Sequence, residues 1–293
     1  MIYLLIGIVI GLIIYHLLLQ KEIRNLTRQL TQLRIHKLHR TLSSEGSPKL
    51  LDPLLTELNA LIATQQDAIS QLQKHKVHLK ADLMNISHDL RTPLTAIYGY
   101  LQLLNDEQLT VQERTHYLEI ATQRTEVLEK LIQDVFYLGK LEANTIEHER
   151  TPLRLDMILK EQLISLYQVF EEANMNVIPV IAEHTVQVSD EAAVKRIFNN
   201  LLLNAVQHGA HTLTITHDWD ADQRCYTRFN NPLDQNVTPD INRVFNRHYT
   251  GAPHRNQSNS GLGLAICAEL CAQLEHDIEA YIEERQFIVE IYW

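Results

Sequence analysis

The sequence predicts a multi-domain chain: an N-terminal transmembrane helix, an α-helical hairpin that pairs into a dimeric four-helix bundle, and a C-terminal α/β sandwich. Three observations carry this. The opening stretch MIYLLIGIVIGLIIYHLLL is apolar apart from Gly, Tyr and His16, and about 20 such residues cross a bilayer as a helix. Leu55, Leu58, Ile62, Ile69, Leu72, Leu79, Leu83, Ile86 and Leu90 then fall on alternating steps of three and four, broken only at Gln65 and Lys76, which is the seam of a parallel coiled coil or bundle. Beyond residue 150 the period shifts to interleaved helices and short strands.

The first segment is expected to be retained as an anchor, because no basic residue precedes it and no small-residue cleavage site follows. Lys21, Arg24, Arg28 and Arg34 come directly after it. The positive-inside rule therefore puts the rest in the cytoplasm, single-pass, with little chain outside. Input is then expected through the membrane helix, with a partner protein such as a transporter. His16 is expected to reach the interface as an ordinary polar contact.

The remaining composition excludes some classes. Apolar residues make up 45% of the 293, so the chain can build folded cores. A formal charge of -10 without clustered Lys and Arg excludes a general nucleic-acid binder. Cys225, Cys267 and Cys271 are too few and too late for a disulfide framework, and small buried apolar residues are the expected reading.

Residues 21 to 45 read as helical, with SSEGSP at 43–48 interrupting them, so two short helices joined by a loop are expected. On the long seam, Leu83 and Leu90 take a positions and Ile86 a d position. That places His88 at f, facing solvent, and Asp89 at g. Thr92 shares the His88 face at i+4. Pro93 lacks an N–H and crowds the carbonyl of residue 89, so a bend is expected just beyond the histidine. NDEQLT ends this helix, and Thr110 with Glu113 forms a capping box that opens a second one. Leu128, Leu131, Val135 and Leu138 carry its seam, which stops near Gly139. NTIEHERTP, at 144–152, reads as a linker.

In the last part, LDMILKEQLISLYQVFEEA reads as one helix and DEAAVKRIFNNLLLNAVQHG as another, with strands at NVIPVIA, TVQVS, HTLTITH, CYTRFNN and FIVEIYW. Asn200 and Asn204 sit one turn apart on an apolar helix. Buried amides there need partners, and Mg²⁺ with bound phosphate and inter-helix hydrogen bonds both fit. Gly261 and Gly263 precede an apolar helix, where free N–H groups suit phosphate, although a plain turn has the same look.

Taken together and in order, SHDLRTPL, NNLLLNA, VFNRHY and SGLGLAI resemble the H, N, F and G2 boxes of bacterial two-component sensor histidine kinases. The resemblance covers about residues 80 to 293. After the transmembrane helix read from the apolar run at 1–20, it implies a helical signal-transmitting linker at 21–75, HAMP-like at best, a dimerisation and phosphotransfer domain at 76–146, and a catalytic domain at 150–293. The catalytic fold it implies is the Bergerat or GHKL ATPase sandwich shared with gyrase and the Hsp90 chaperones. It implies ATP and Mg²⁺ as cofactors, and a homodimer that passes phosphate from His88 to an aspartate of a response regulator. Asp89 is then the acid/base partner, and Thr92 positions water for the reverse, phosphatase reaction. The nucleotide set becomes Asn200, Asn204, His208, Asn231, Phe245, Arg247, Tyr249, Gly261, Leu262, Gly263 and Leu264, with Asn204 and Asn200 on the metal.

One departure bears on activity. The family's G1 box, Asp-x-Gly-x-Gly, is replaced by FNNPL, with Asn231 where the aspartate would fall, and Gln207 stands where a lysine is frequent. An asparagine carbonyl still accepts from an adenine amino group but brings no charge. The alternative function is therefore a catalytically weak or phosphatase-biased signalling scaffold with a degenerate ATP site. A related ATPase or chaperone without phosphotransfer is a third reading, disfavoured by the His88 motif.

Overall fold

The computed structural model describes residues 2–36, 42, 52–233, 238–250 and 261–293. The chain falls into two compact units divided after Ala81. The first holds α1 (Ile2–His36) and the start of α2 (Asp52–Leu103). Helix α1 is long and apolar enough to cross a membrane by length and composition. It is one continuous helix that runs from the apolar segment into the polar residues after it. The predicted SSEGSP interruption lies outside the described residues. Within this unit Asn59 brackets Leu42, accepting from its N–H at 2.7 Å and donating to its carbonyl at 3.0 Å.

Helix α2 stays helical through Pro93 to Leu103. Helix α3 (Val111–Glu142) opens on the expected capping box: the Thr110 hydroxyl accepts from the Glu113 N–H, and the Glu113 carboxylate accepts from the Thr110 N–H. Leu131 and Leu138, which the sequence placed on the bundle seam, lie in the same buried cluster as the sandwich core, with Leu141 beside them.

Strands β1 (Thr151–Arg154) and β3 (Val186–Ser189) form a two-stranded antiparallel sheet. The linker expected over 144–152 therefore ends in a strand. Its short TPLR run carries too little alternation to show this in the sequence. The helix expected over 155–173 is two, α4 (Leu155–Ser165) and α5 (Tyr167–Glu172), meeting at Leu166.

The main sheet has five strands in the order β2 (Asn176–Ile181), β4 (Thr212–Trp219), β5 (Cys225–Pro232), β7 (Gln286–Tyr292), β6 (Asp277–Glu283). Only β2 and β4 pair in parallel. Strand β6, not foreseen, completes a hairpin whose Glu284 and Arg285 both have positive φ. Alternation puts Leu213 and Ile215, then Cys225 and Phe229, then Phe287, Val289 and Ile291 on one face, all buried. Against that face pack α6 (Glu191–His208) and α7 (Gly263–Leu274). The α6 stripe Val194, Ile197, Phe198, Leu201, Leu202 and Ala205 has helical spacing and is buried throughout. Asp190 caps α6 by accepting from the Ala193 N–H at 2.8 Å. These contacts fix α6 and α7 side by side and bring the asparagines of one against the glycine start of the other.

Candidate active site

The histidine motif stands on α2. The His88 side chain is 78% exposed, and its Nδ1 lies 3.5 Å from Asp89 Oδ1. This matches the heptad placement. The Thr92 hydroxyl donates to the His88 carbonyl at 3.3 Å, so it is engaged with the helix backbone on the same face. Asp89 has a second partner: its Oδ2 lies 3.1 Å from His248 Nδ1.

Seven of the residues expected at the nucleotide line a cavity of about 210 Å³. Asn200, Asn204, Gln207 and His208 line it from α6, Tyr249 and Gly261 from the loop before α7, and Gly263 with Leu264 from the start of α7. Asn200 donates to the Gly263 carbonyl at 3.3 Å, which joins the two helices through its nitrogen and leaves its oxygen as an acceptor. Gly261 has φ +61°, and an added Cβ would fall 2.8 Å from the His248 and Tyr249 backbones. Only glycine fits there. This volume lies below the roughly 300 Å³ at which small-molecule sites usually begin.

Four predicted residues are not among the described lining. Leu262 is buried at the N-cap of α7. Asn231 is buried on the helix-facing side of β5, beside Gly209. Phe245 packs against the core. Arg247 pairs with Asp82 at 3.1 Å and with Glu142. The sequence placed all four at the nucleotide on motif order alone, and motif order does not fix which side of a strand or loop a side chain takes.

Two residues escaped the sequence reading. Lys130 lines the cavity from α3, and nothing in a seam pattern marks an exposed lysine as a wall of another element's pocket. His248 lay inside VFNRHY, but its reach to Asp89 depends on a left-handed backbone, φ +57°, which spacing does not reveal. Cys267 sits beneath Asn200, and burial pushes its thiol well above the ordinary range.

Residues 83–144 match the His Kinase A (phospho-acceptor) domain, and residues 189–292 the histidine kinase-, DNA gyrase B- and HSP90-like ATPase domain. Sensor histidine kinase YcbM of Bacillus subtilis is 32% identical over 230 residues, covering 76% of this chain and 74% of that protein. The chain belongs to the sensor histidine kinases. Sensor protein VanSC of Enterococcus gallinarum is 27% identical over 240 residues, covering 81% of this chain and 66% of the relative. Among solved structures, the histidine kinase AdeS of Acinetobacter baumannii superposes with a TM-score of 0.58 at 19% identity, over 70% of this chain and 96% of that one. Histidine kinase ThkA, solved in complex with the response regulator TrrA, gives 0.57 at 18% identity over 85% and 68%. Both show the shared fold. As a sensor histidine kinase the chain is a protein-histidine kinase, with an ATP-binding domain of the ATPase type; autophosphorylation and transfer to response regulators are general in this family.

Proposed function

We propose that this kinase phosphorylates its own His88 from Mg-ATP and hands the phosphoryl group to an aspartate of a response regulator. The observation that carries the reading is the exposed His88 imidazole with Nδ1 turned to Asp89. With Nδ1 facing the carboxylate, Nε2 is the nitrogen left to attack. Its lone pair forms the new N–P bond to the γ-phosphorus while the bond to the β-phosphate oxygen breaks and ADP leaves. Asp89 accepts from the Nδ1–H and steadies the positive charge that develops on the ring. Phosphoryl transfer asks a protein mainly for positioning and charge neutralisation.

Asn200 and Asn204 are the residues that would hold Mg²⁺, since amide oxygens suit a hard cation and the Asn200 nitrogen is already committed to Gly263. The ion would neutralise phosphate charge. Gly261 and Gly263 leave room for phosphate against the N-terminus of α7. Thr92 would have to leave the His88 carbonyl to position water in the phosphatase direction.

A second copy as partner is supported by Leu94, Leu101, Leu118 and Phe136, all exposed on α2 and α3 in the single chain. A response regulator as the next acceptor is supported by the family. Membrane anchoring through α1, single-pass with the catalytic part cytoplasmic, rests on its apolar length and the basic residues after it. A transporter as membrane partner has no support among the relatives named above and is not part of the proposal.

The weak or phosphatase-biased alternative is favoured by one observation, the place of Asn231 outside the described cavity lining. ATP titration with Mg²⁺ separates the two. Measurable binding, followed by an acid-labile, base-stable phosphate on the peptide that holds His88, supports the kinase. Absence of binding supports the scaffold.

A further inference from the structure

Asp89 is shared by two histidines. Its Oδ1 faces His88 Nδ1 at 3.5 Å, and its Oδ2 faces His248 Nδ1 at 3.1 Å. The two imidazoles differ in setting: the His88 side chain is 78% exposed and that of His248 only 6%. A carboxylate has only acceptors to offer, so Nδ1 of His248 carries the proton. Its Nε2 is buried with no hydrogen-bond partner among the described residues, which leaves the contact to Asp89 as the one polar bond this ring makes there.

The backbone of His248 is fixed from the nucleotide side. Its N–H donates to the Gly261 carbonyl at 3.1 Å, and the missing Cβ of Gly261 is what lets the two backbone segments lie this close. His248 itself takes φ +57°, a conformation in which His and Asn are over-represented among residues with side chains. Next to it, Arg247 reaches Asp82, two helical turns before Asp89 on the same face of α2. Arg247 and His248 thus touch the cavity wall through Gly261 and the motif helix through two carboxylates.

We infer that His248 is a positioning residue for autophosphorylation, holding the Asp89 carboxylate so that its free oxygen faces His88. The inference rests on the reading of His88 as the phosphoacceptor. A carboxylate pinned through one oxygen keeps the other aimed, and general acid–base assistance depends on that aim. Unpinned, Asp89 is partly exposed at a helix surface and free to turn to water.

The test uses the full chain in membranes or detergent. His248→Phe keeps a planar ring and removes the donor; His248→Asn tolerates the left-handed backbone and restores an amide N–H near the place of Nδ1. The expected result for the Phe variant is a fall in the rate of His88 labelling of about tenfold or more, with KM and ATP affinity unchanged. The Asn variant should recover most of the rate. Introduced into Asp89→Asn, the Phe change should cause no further loss, because its effect runs through that carboxylate. A Phe variant that labels at the parent rate, a loss expressed in KM or ATP affinity, or an equal loss in the Asp89→Asn background would overturn the inference. If the parent chain labels on a residue other than His88, the reading beneath falls first, and that outcome is seen in the parent alone.

Discussion

The Gln273 side-chain amide, on α7, donates to the carbonyl of Leu141, in the last turn of α3, at 2.6 Å. The oxygen of the same side chain accepts from His148 Nε2–H at 3.0 Å, while its backbone carbonyl accepts from Arg150 at 3.0 Å. Asn144, with φ 47°, turns the chain out of α3 between these contacts. One residue of the ATP-binding domain therefore holds both the end of the bundle helix and the linker after it. Gln273→Ala is expected to lower stability by about 1–2 kcal/mol through the lost hydrogen bonds and to speed amide exchange over residues 143–150. Unchanged exchange there would show that the clamp does not hold the linker.

Gly261→Ala should be the most damaging single methyl in the nucleotide site. Its φ of +61° and the 2.8 Å approach to the His248 and Tyr249 backbones leave no room for a Cβ. The left-handed conformation alone costs a residue with a side chain about 1–2 kcal/mol. Calorimetric titration is expected to show a clear loss of ATP affinity, with the circular-dichroism spectrum kept. Full affinity in this variant would mean the loop shifts without consequence.

His217 gives the fold an acid sensitivity that can be read directly. It is buried between Thr185 and Thr227, each hydroxyl 2.7 Å from a ring nitrogen, and desolvation lowers its pKa to about 4. The unfolded chain takes up this proton near the ordinary value of about 6.5 and the folded chain resists it. The contribution is therefore complete above the unfolded pKa and declines as pH falls from there to about 4, by up to about 3 kcal/mol. Urea midpoints across that range should drop with falling pH, and the slope should flatten in His217→Gln. A midpoint independent of pH in the parent would contradict the buried, proton-excluding placement.

The three cysteines are buried, and desolvation pushes Cys225 and Cys271 up to about 12 and Cys267 well above the ordinary range. Thiolate is the reactive form. The native protein is expected to resist a thiol-specific disulfide reagent at pH 8 and to react at all three sites once unfolded. Fast reaction of any native cysteine would place it outside the core.

Much of this was legible because its cause is local. Thr110 and Glu113 announce a helix start through adjacent hydrogen bonds, and the heptad phase of Leu83, Ile86 and Leu90 is enough to turn His88 outward. Asn200 and Gly263 lie in separate motifs, yet each motif's place on its helix was readable, and packing then brought them together. What stayed hidden depends on long-range pairing or on backbone angles. TPLR becomes a strand only because Val186–Ser189 lies beside it. The pairing of Arg247 with Asp82 and Glu142 joins residues far apart in the sequence, which no motif reveals. His248 needed a left-handed turn, and Lys130 needed one domain's helix to wall another's cavity.

The most direct test of the whole account is labelling of the purified chain with γ-³²P-labelled ATP and Mg²⁺, beside His88→Gln. The parent is expected to take up label that survives base and is lost in acid, and the variant to take up none while still binding ATP. Label of the same stability on the variant would place the phosphoacceptor elsewhere and contradict the account.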